Sequence, residues 1–276
     1  MTTLDPASWI GRSESCPDAI DIGHIQKMAL SLDTPAPAQG DELPLLWQWG
    51  LFINGLAYDQ LGPDGHPKRG GFLPPADNRN RMWAGGRLEF IQPLRVGIAA
   101  NRVSSITAIK EKDGRTGKLL FVTIQHEYFQ GGALCISEEQ DVVYREPSPP
   151  KLSGSEPAPA AQWSETINPT STMLFRYSAV TFNGHRIHYD EPYATQVEGY
   201  PGLVVHGPMI ATLMCRAFRN ANPGKVVRSF SYRGLRPLIA PLAFHVAGAI
   251  GAPGVAQLWA EQDGTLAHKA QIVFSE

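Results

Sequence analysis

Fourteen residues, Thr181-Phe-Asn-Gly-His-Arg-Ile-His-Tyr-Asp-Glu-Pro-Tyr-Ala194, crowd two histidines, Asp190 and two tyrosines into a stretch with little apolar bulk. Such a stretch is poor core material, so its residue types call for a chemical reason. Imidazole titrates near neutrality and can take a proton from water and return one to carbon. Shortly after, Leu203-Val-Val-His-Gly-Pro208 opens an apolar run that reads as a long buried helix. A helix start leaves backbone N–H groups free and carries positive dipole character. Imidazole beside such a start is suited to work on a carbonyl compound, the base moving a proton while an N–H holds the oxyanion. His188 is the candidate base, Asn183 the candidate positioner of water or carbonyl, and the Gly207 N–H the candidate oxyanion donor. His185, Arg186, Tyr189, Asp190, His206, Arg233 and Arg236 are candidates for binding the ligand, the arginines because a guanidinium fork suits anionic groups. Arg69-Gly70-Gly71 is a weaker candidate of the same kind. His185-x-x-His188 with Asp190 or His206 also has the residue types of a zinc cluster, but no third ligand falls at a familiar spacing, and no metal is expected.

These residues need elements to hold them. Gly207 to Asn220 reads as a helix whose only polar stripe is Thr212, Arg216 and Arg219, so it should be wrapped on most sides. Strands are predicted after it at Val227–Leu235, Ala243–Ile250, Val255–Glu261 and Ala267–Phe274, with Asp263-Gly264 as the last turn. The first half reads similarly. A helix is predicted over Asp18–Leu32, with Asp18 near its cap and Ile22, Ile25, Met28 and Leu32 on one stripe. Residues 35–86 read as loop. Strands then follow at Arg87–Ile91, Ala99–Lys110, Lys118–Tyr128 and Ala133–Tyr144, with turns at Lys112-Asp-Gly-Arg-Thr-Gly and Gly131-Gly132.

Between the halves, Glu146-Pro-Ser-Pro-Pro-Lys-Leu-Ser-Gly-Ser-Glu-Pro-Ala-Pro-Ala-Ala161 has the composition of an extended linker. Phe90-Ile-Gln-Pro-Leu-Arg-Val-Gly97 also echoes Gly234-Leu-Arg-Pro-Leu-Ile-Ala-Pro241, at an offset of 237 − 93 = 144 residues. A duplicated unit follows, and the predicted fold class is α+β, a double hot-dog in which a curved antiparallel sheet wraps a long helix twice. The expected parts are an N-terminal half at 1–147, a linker at 148–163 and a C-terminal half at 164–276.

Bulk properties narrow the partners. Hydrophobic residues make up 43% of the 276 and charged residues 18%, which suits a globule with a substantial core. A formal net charge of −2 gives no electrostatic case for nucleic acid or an anionic membrane surface. Cys16, Cys135 and Cys215 are far apart and unpaired in pattern, and no apolar run approaches membrane-spanning length, so a cytoplasmic location is expected.

The motif resembles that of the type-2 enoyl-CoA hydratases, the MaoC-like hot-dog enzymes. Their signature runs Gly-Asp-x-Asn-Pro-(Leu/Ile)-His, five residues, then Ala or Ser. Here Phe182 to His188 is followed by Tyr189 to Tyr193 and then Ala194, and Val205-His-Gly207 resembles the family's entry into the central helix. The strings Phe175–Asp190 and Glu198–Pro208 are similar to those of the itaconyl-CoA and mesaconyl-CoA hydratases with two fused hot-dog halves. One departure bears on the chemistry: where the family places its aspartate this chain has Asn183, and where it places its asparagine this chain has His185, and an amide cannot take a proton at neutral pH. Either His188 works as the base with Asn183 holding the water, or another group joins, with Asp190, Glu198 and Tyr177 the nearby candidates.

The resemblance implies a hydro-lyase that adds water across the 2,3-double bond of a short branched unsaturated dicarboxylyl-CoA, with no cofactor beyond the CoA of the substrate. It also implies association of hot-dog units, so a homodimer or higher homo-oligomer is expected. The N-terminal half lacks the histidine motif and is expected to be non-catalytic, keeping a tunnel for the acyl or pantetheine arm. Alternatives are a 3-hydroxyacyl-thioester dehydratase of fatty-acid synthesis on the same fold, a thioesterase, or a non-catalytic acyl-CoA-binding module.

Overall fold

Alternation in the chain's second quarter becomes strands in the structure, a computed structural model that describes residues 5–76, 79–114 and 117–276. The first half contributes β1 (Ser13–Asp18), α1 (Ile22–Ser31), β2 (Asn80–Phe90), β3 (Ala100–Gly114), β4 (Gly117–Gln130) and β5 (Ala133–Arg145). In β4 the residues Leu120, Val122, Ile124, His126 and Tyr128 turn inward at period two, while their neighbours are half-buried. The second half contributes β6 (Trp163–Ile167), α2 (Ser171–Val180), α3 (Glu191–Gln196), α4 (Gly207–Ala221), β7 (Val226–Gly234), β8 (Phe244–Ala252), β9 (Val255–Gln262) and β10 (Thr265–Ser275).

All these strands lie in one antiparallel sheet of order β1-β3-β4-β5-β2-β7-β10-β9-β8-β6. Read outward from the centre, each half repeats the same strand order. The spacing repeats as well: β2 and β7 end at Phe90 and Gly234 (234 − 90 = 144), and β3 and β8 begin at Ala100 and Phe244 (244 − 100 = 144). The halves join where β2 pairs with β7, Leu88 opposite Phe230 and Gly86 opposite Tyr232. An antiparallel sheet repeated in each half, with the long helix α4 packed on it in the second, is the α+β hot-dog layout.

Helix α4 fills the second half. Met209 through Cys215, with Ala217 and Phe218, are all buried, and the helix packs on β6, β8, β9 and β10. Two of the three residues of its polar stripe have partners, and Arg219 is exposed. Thr212 Oγ1 donates to Pro208 O at 2.9 Å, and Arg216 pairs with Glu165 on β6 at 2.8 Å. Arg216 Nη1 also donates to Leu32 O at 2.6 Å, satisfying a carbonyl at the end of α1.

The structure changes several sequence expectations. The first helix starts at Ile22 and is capped by Asp21, whose side chain accepts from His24 N; Asp18 instead ends strand β1 and accepts from Ile20 N and Phe52 N. Strand β2 begins at Asn80, seven residues before the predicted start at Arg87. β1, β6, α2 and α3 were not expected. β1 and β6 are short edge strands with exposed, polar sequences, and Pro17 sits in β1 where an edge tolerates it. Residues 115–116 of the predicted turn at Lys112–Gly117 lie outside the described residues. No helix among the described residues is long and apolar enough to cross a membrane.

Candidate active site

The N-terminal end of α4 is the centre of the site. Pro208 in the first turn has no N–H to lose, so the turn closes without cost, and the Gly207 N–H is left unclaimed by the helix. Trp83 of β2 packs against Gly207 so closely that a Cβ there would lie 2.8 Å from the indole Cε3. His268 of β10 is the next neighbour of that position.

His188 lies beside this end, fully enclosed in a 3₁₀ turn at Arg186–His188. Its Nδ1–H donates to Val204 O at 2.7 Å, which fixes the tautomer and leaves the Nε2 lone pair free. Burial holds the ring's pKa down to about 4, with His66 adding to the shift, so the imidazole is neutral at pH 7. His206 stacks on His188 with ring centroids 3.8 Å apart. Its Nε2 meets Ser178 Oγ at 2.8 Å, and its Nδ1 is buried without a partner. Burial pushes its pKa down as well. His206 is therefore a neutral plate behind the base, held by α2.

The motif loop is fixed by its own backbone. Asn183 Oδ1 accepts the His185 N–H at 3.0 Å, an Asx turn that orients the run into His188. Tyr189 OH donates to Gly184 O at 2.9 Å. Asp190 caps α3 through Tyr193 N and pairs with Arg186 at 2.7 Å, and Arg186 lies over the Tyr193 ring. Asp190 and Arg186 are thus joined to each other and partly exposed. Arg236 is occupied by the carbonyls of Gln262, Thr265 and Leu266. Arg233 is exposed on β7. The structure therefore brings His188, His206, His185 and Gly207 together, and leaves Arg233 and Arg236 outside the group. Glu198 accepts from Tyr193 OH at 3.1 Å, and Tyr177 packs on His206 at 4.9 Å.

Two residues that sequence reading missed come from the first half. The loop Gly62-Pro-Asp-Gly-His66 lies on the motif: Arg186 N donates to Asp64 O at 3.0 Å, and Arg186 Nη1 to Pro63 O at 3.1 Å. Gly65, at φ +84°, approaches Gly184 so closely that a Cβ would lie 1.8 Å from its carbonyl oxygen. This delivers His66 to 4.0 Å, centroid to centroid, from His185, which in turn meets His188 edge-on at 5.3 Å. His66 Nδ1 is 3.1 Å from Asp64 Oδ2. Burial would raise the Asp64 carboxyl, but the His66 bond, with help from Arg81, outweighs it and holds the pKa at about 2. Burial and then Arg81 lower His66 to about 4, against the opposing pull of Asp64. Asp64, His66 and His185 each present a ligand atom within 4.8 Å of the others. The sequence signal was an Asp-x-His in a Gly/Pro-rich loop, which only its long-range contact distinguishes from an ordinary turn.

A pocket of about 30 Å³ opens beside this group, lined by Asp64, Arg81, Arg145, His185, Glu198 and Tyr200. A much larger cleft of about 670 Å³ runs along the later turns of α4 between Leu43, Phe90, Leu94 and Leu213, with Arg216 and Arg219 on its wall. The larger cleft contains none of the imidazoles, so the chemistry belongs to the smaller region.

A neutral, tautomer-fixed imidazole beside a helix N-terminus, in a fused pair of hot-dog sheets, defines a MaoC-like hydratase or dehydratase. Solved structures agree on the fold. HtdX of Mycobacterium tuberculosis superposes with a TM-score of 0.70 at 18% identity, covering 95% of this chain and 99% of that one. A MaoC-like dehydratase of Phytophthora capsici gives 0.71 at 14% identity, covering 98% of each. The chain belongs to the hydroxyacyl-thioester dehydratase type 2 family, whose pattern it matches over residues 47–240. It is 44% identical over 248 residues to the mesaconyl-C(4)-CoA hydratase of Chloroflexus aurantiacus, covering 86% of both chains. It is 33% identical over 189 residues to a mitochondrial hydroxyacyl-thioester dehydratase type 2 of Schizosaccharomyces pombe, covering 59% of this chain and 62% of that one. The protein is an acyl-CoA hydratase/dehydratase.

Proposed function

We propose that this enzyme adds water across the 2,3-double bond of a short branched unsaturated dicarboxylyl-CoA of the mesaconyl-CoA type, to give citramalyl-CoA, with itaconyl-CoA, whose double bond lies between C3 and C4, entering only after that bond has moved into the 2,3-position. The observation that carries the chemistry is the free Nε2 of a buried, neutral His188 beside the unclaimed Gly207 N–H. His188 Nε2 takes a proton from water as its oxygen bonds to C3. The electron pair of the double bond moves toward the thioester oxygen, which the Gly207 N–H and the helix dipole stabilise. The imidazolium then returns the proton to C2. Asn183 holds the loop through the His185 N–H and has its amide NH2 left to orient water. The acyl class is supported by the 44% identical relative named for mesaconyl-C(4)-CoA. No cofactor other than the CoA of the substrate takes part in this scheme, and a cytoplasmic homodimer or higher homo-oligomer remains the assembly we propose.

The test is mass spectrometry of the protein with itaconyl-CoA, mesaconyl-CoA and crotonyl-CoA in turn. A gain of one water on the dicarboxylyl thioesters, reduced about 10²- to 10⁴-fold in His188→Ala, is the expected result. Hydration of crotonyl-CoA alone would move the enzyme to fatty-acyl substrates, and release of free thiol would make it a thioesterase.

A further inference from the structure

His188 must carry a positive charge for part of the cycle, and its surroundings do little to help. Its Nδ1–H partner is a backbone carbonyl, its stacking neighbour His206 is neutral, and Asn183 on its own loop is an amide. The groups that bear on these rings come from three directions. His185 and His206 lie on the second half, Arg81 at the start of β2, and Asp64, His66 and Arg69 on the loop of the first half. Two carboxylates are near: Glu198, which lines the small pocket with His185 and accepts from Tyr193 OH, and Asp64, the one that reaches an imidazole directly. Its distance to His66 Nδ1 is 3.1 Å, and from His66 the rings run through His185 to His188 at centroid spacings of 4.0 and 5.3 Å.

We propose that Asp64, through His66 and His185, is the counter-charge for the imidazolium formed at His188, so that the first half of the chain supplies the carboxylate the motif loop lacks at Asn183. This rests on His188 being the base. The balance is that of the hydration itself. One O–H bond of water breaks, the oxygen bonds to C3, the proton resides on His188 Nε2, and the same proton then leaves for C2. Asp64 and His66 gain and lose nothing; they are positioning residues that lower the energy of the charged intermediate state. Asp64 accepts the His66 Nδ1–H, which leaves the lone pair of that ring on Nε2. A carboxylate opposite a developing cation favours the charged form, and Arg81 beside it sets how much of that pull survives.

The experiment compares Asp64→Asn, His66→Gln and Asp64→Asn/Asn183→Asp with the native chain, on mesaconyl-CoA and crotonyl-CoA, together with an NMR titration of the His188 imidazole in each protein without substrate. Asp64→Asn should lower kcat about tenfold with KM nearly unchanged. It should also move the His188 titration, and the acid limb of kcat/KM, to lower pH, because loss of a negative charge makes the imidazole a weaker base. His66→Gln should do the same. Asn183→Asp in the Asp64→Asn background should restore part of kcat and of the titration, since the new carboxylate can still accept the His185 N–H. An unchanged His188 titration in Asp64→Asn overturns the inference, whatever the effect on turnover. So does tight zinc binding by the native chain that is lost in Asp64→Asn and on which activity depends, which would make Asp64, His66 and His185 a metal site. Failure of native protein to hydrate either thioester would count against the substrate reading alone, because the titration needs no substrate.

Discussion

The two halves share a strand order and a 144-residue offset (234 − 90 = 144), yet they solve the problem of the sheet's concave face differently. The second half lays the fifteen-residue α4 across it. In the first half the described residues between Leu32 and Arg79 hold only short 3₁₀ turns and loop, with Trp47, Leu51 and Phe52 buried in the core. Its interior also contains a carboxyl, Glu138, fully buried under Trp49 Nε1 at 2.9 Å and Tyr128 OH at 3.0 Å, with its pKa pushed up to about 7 by burial against those two bonds. The difference teaches how labour is divided. A half that gave up its central helix gained a loop long enough to cross onto its neighbour, and that loop is what carries Asp64 and His66 to the motif. The expected inactive half is thus a contributor of side chains to the site, whether or not those side chains take part in turnover.

The sharpest way to break this comparison is to push the crossing loop off the motif. Gly65→Ala would put a Cβ 1.8 Å from Gly184 O in a backbone conformation, φ +84°, that L side chains resist. Displacement by about 1 Å at a site of this kind costs on the order of 10² in rate, so kcat/KM should fall by that much while circular dichroism stays native. Gly207→Ala tests the other half's contribution. Its Cβ would meet the Trp83 ring at 2.8 and 3.1 Å, moving either the indole or the start of α4, and kcat should fall about tenfold in steady-state assays, with a stability loss of about 1–3 kcal/mol.

The smallest effect on activity should come from Glu138→Gln, which leaves kcat unchanged and alters stability with pH. The folded-state pKa of Glu138 lies at about 7, above its ordinary 4.5, so the fold favours the protonated form. Native stability is unpenalised below the ordinary value and falls as pH rises through the folded one. The variant should gain on the order of 3 kcal/mol relative to native as pH goes from 4.5 to 8, read as a widening Tm difference by calorimetry. A flat difference across that range would mean that Glu138 is ionised in place and paired by a group other than Trp49 and Tyr128.

Much of this architecture was readable before folding. The strand cores of both halves, the apolar run of α4 and the offset between Pro93 and Pro237 each reflect a local rule, period two or 3.6, that one stretch of sequence carries by itself. The edge strands were not readable, because Ser13–Asp18 and Trp163–Ile167 are mostly polar and fully bury one residue each, so their alternation in burial leaves no apolar pattern. At the site, His188 and Gly207 stood out because their motif is contiguous. Asp64 and His66 did not, since their meaning lies in a contact 122 residues away, Arg186 N to Asp64 O (186 − 64 = 122), and no local pattern encodes such a contact. The arginines show the converse. Arg186 and Arg236 have the right chemistry for anions, but Asp190 and backbone carbonyls already use it.

The pairing of β2 with β7 has a consequence for how such a chain changes over time. Where two identical subunits meet across a seam, every substitution appears twice, and a loop that helps one site must be tolerated at its twin. Here the seam joins two stretches of one polypeptide, Leu88 beside Phe230 and Gly86 beside Tyr232, so a substitution enters one side only. The partners stay together at any dilution, and each is free to vary without its mirror image. Asymmetry of the kind seen between the crossing loop and α4 is the freedom that covalent fusion confers.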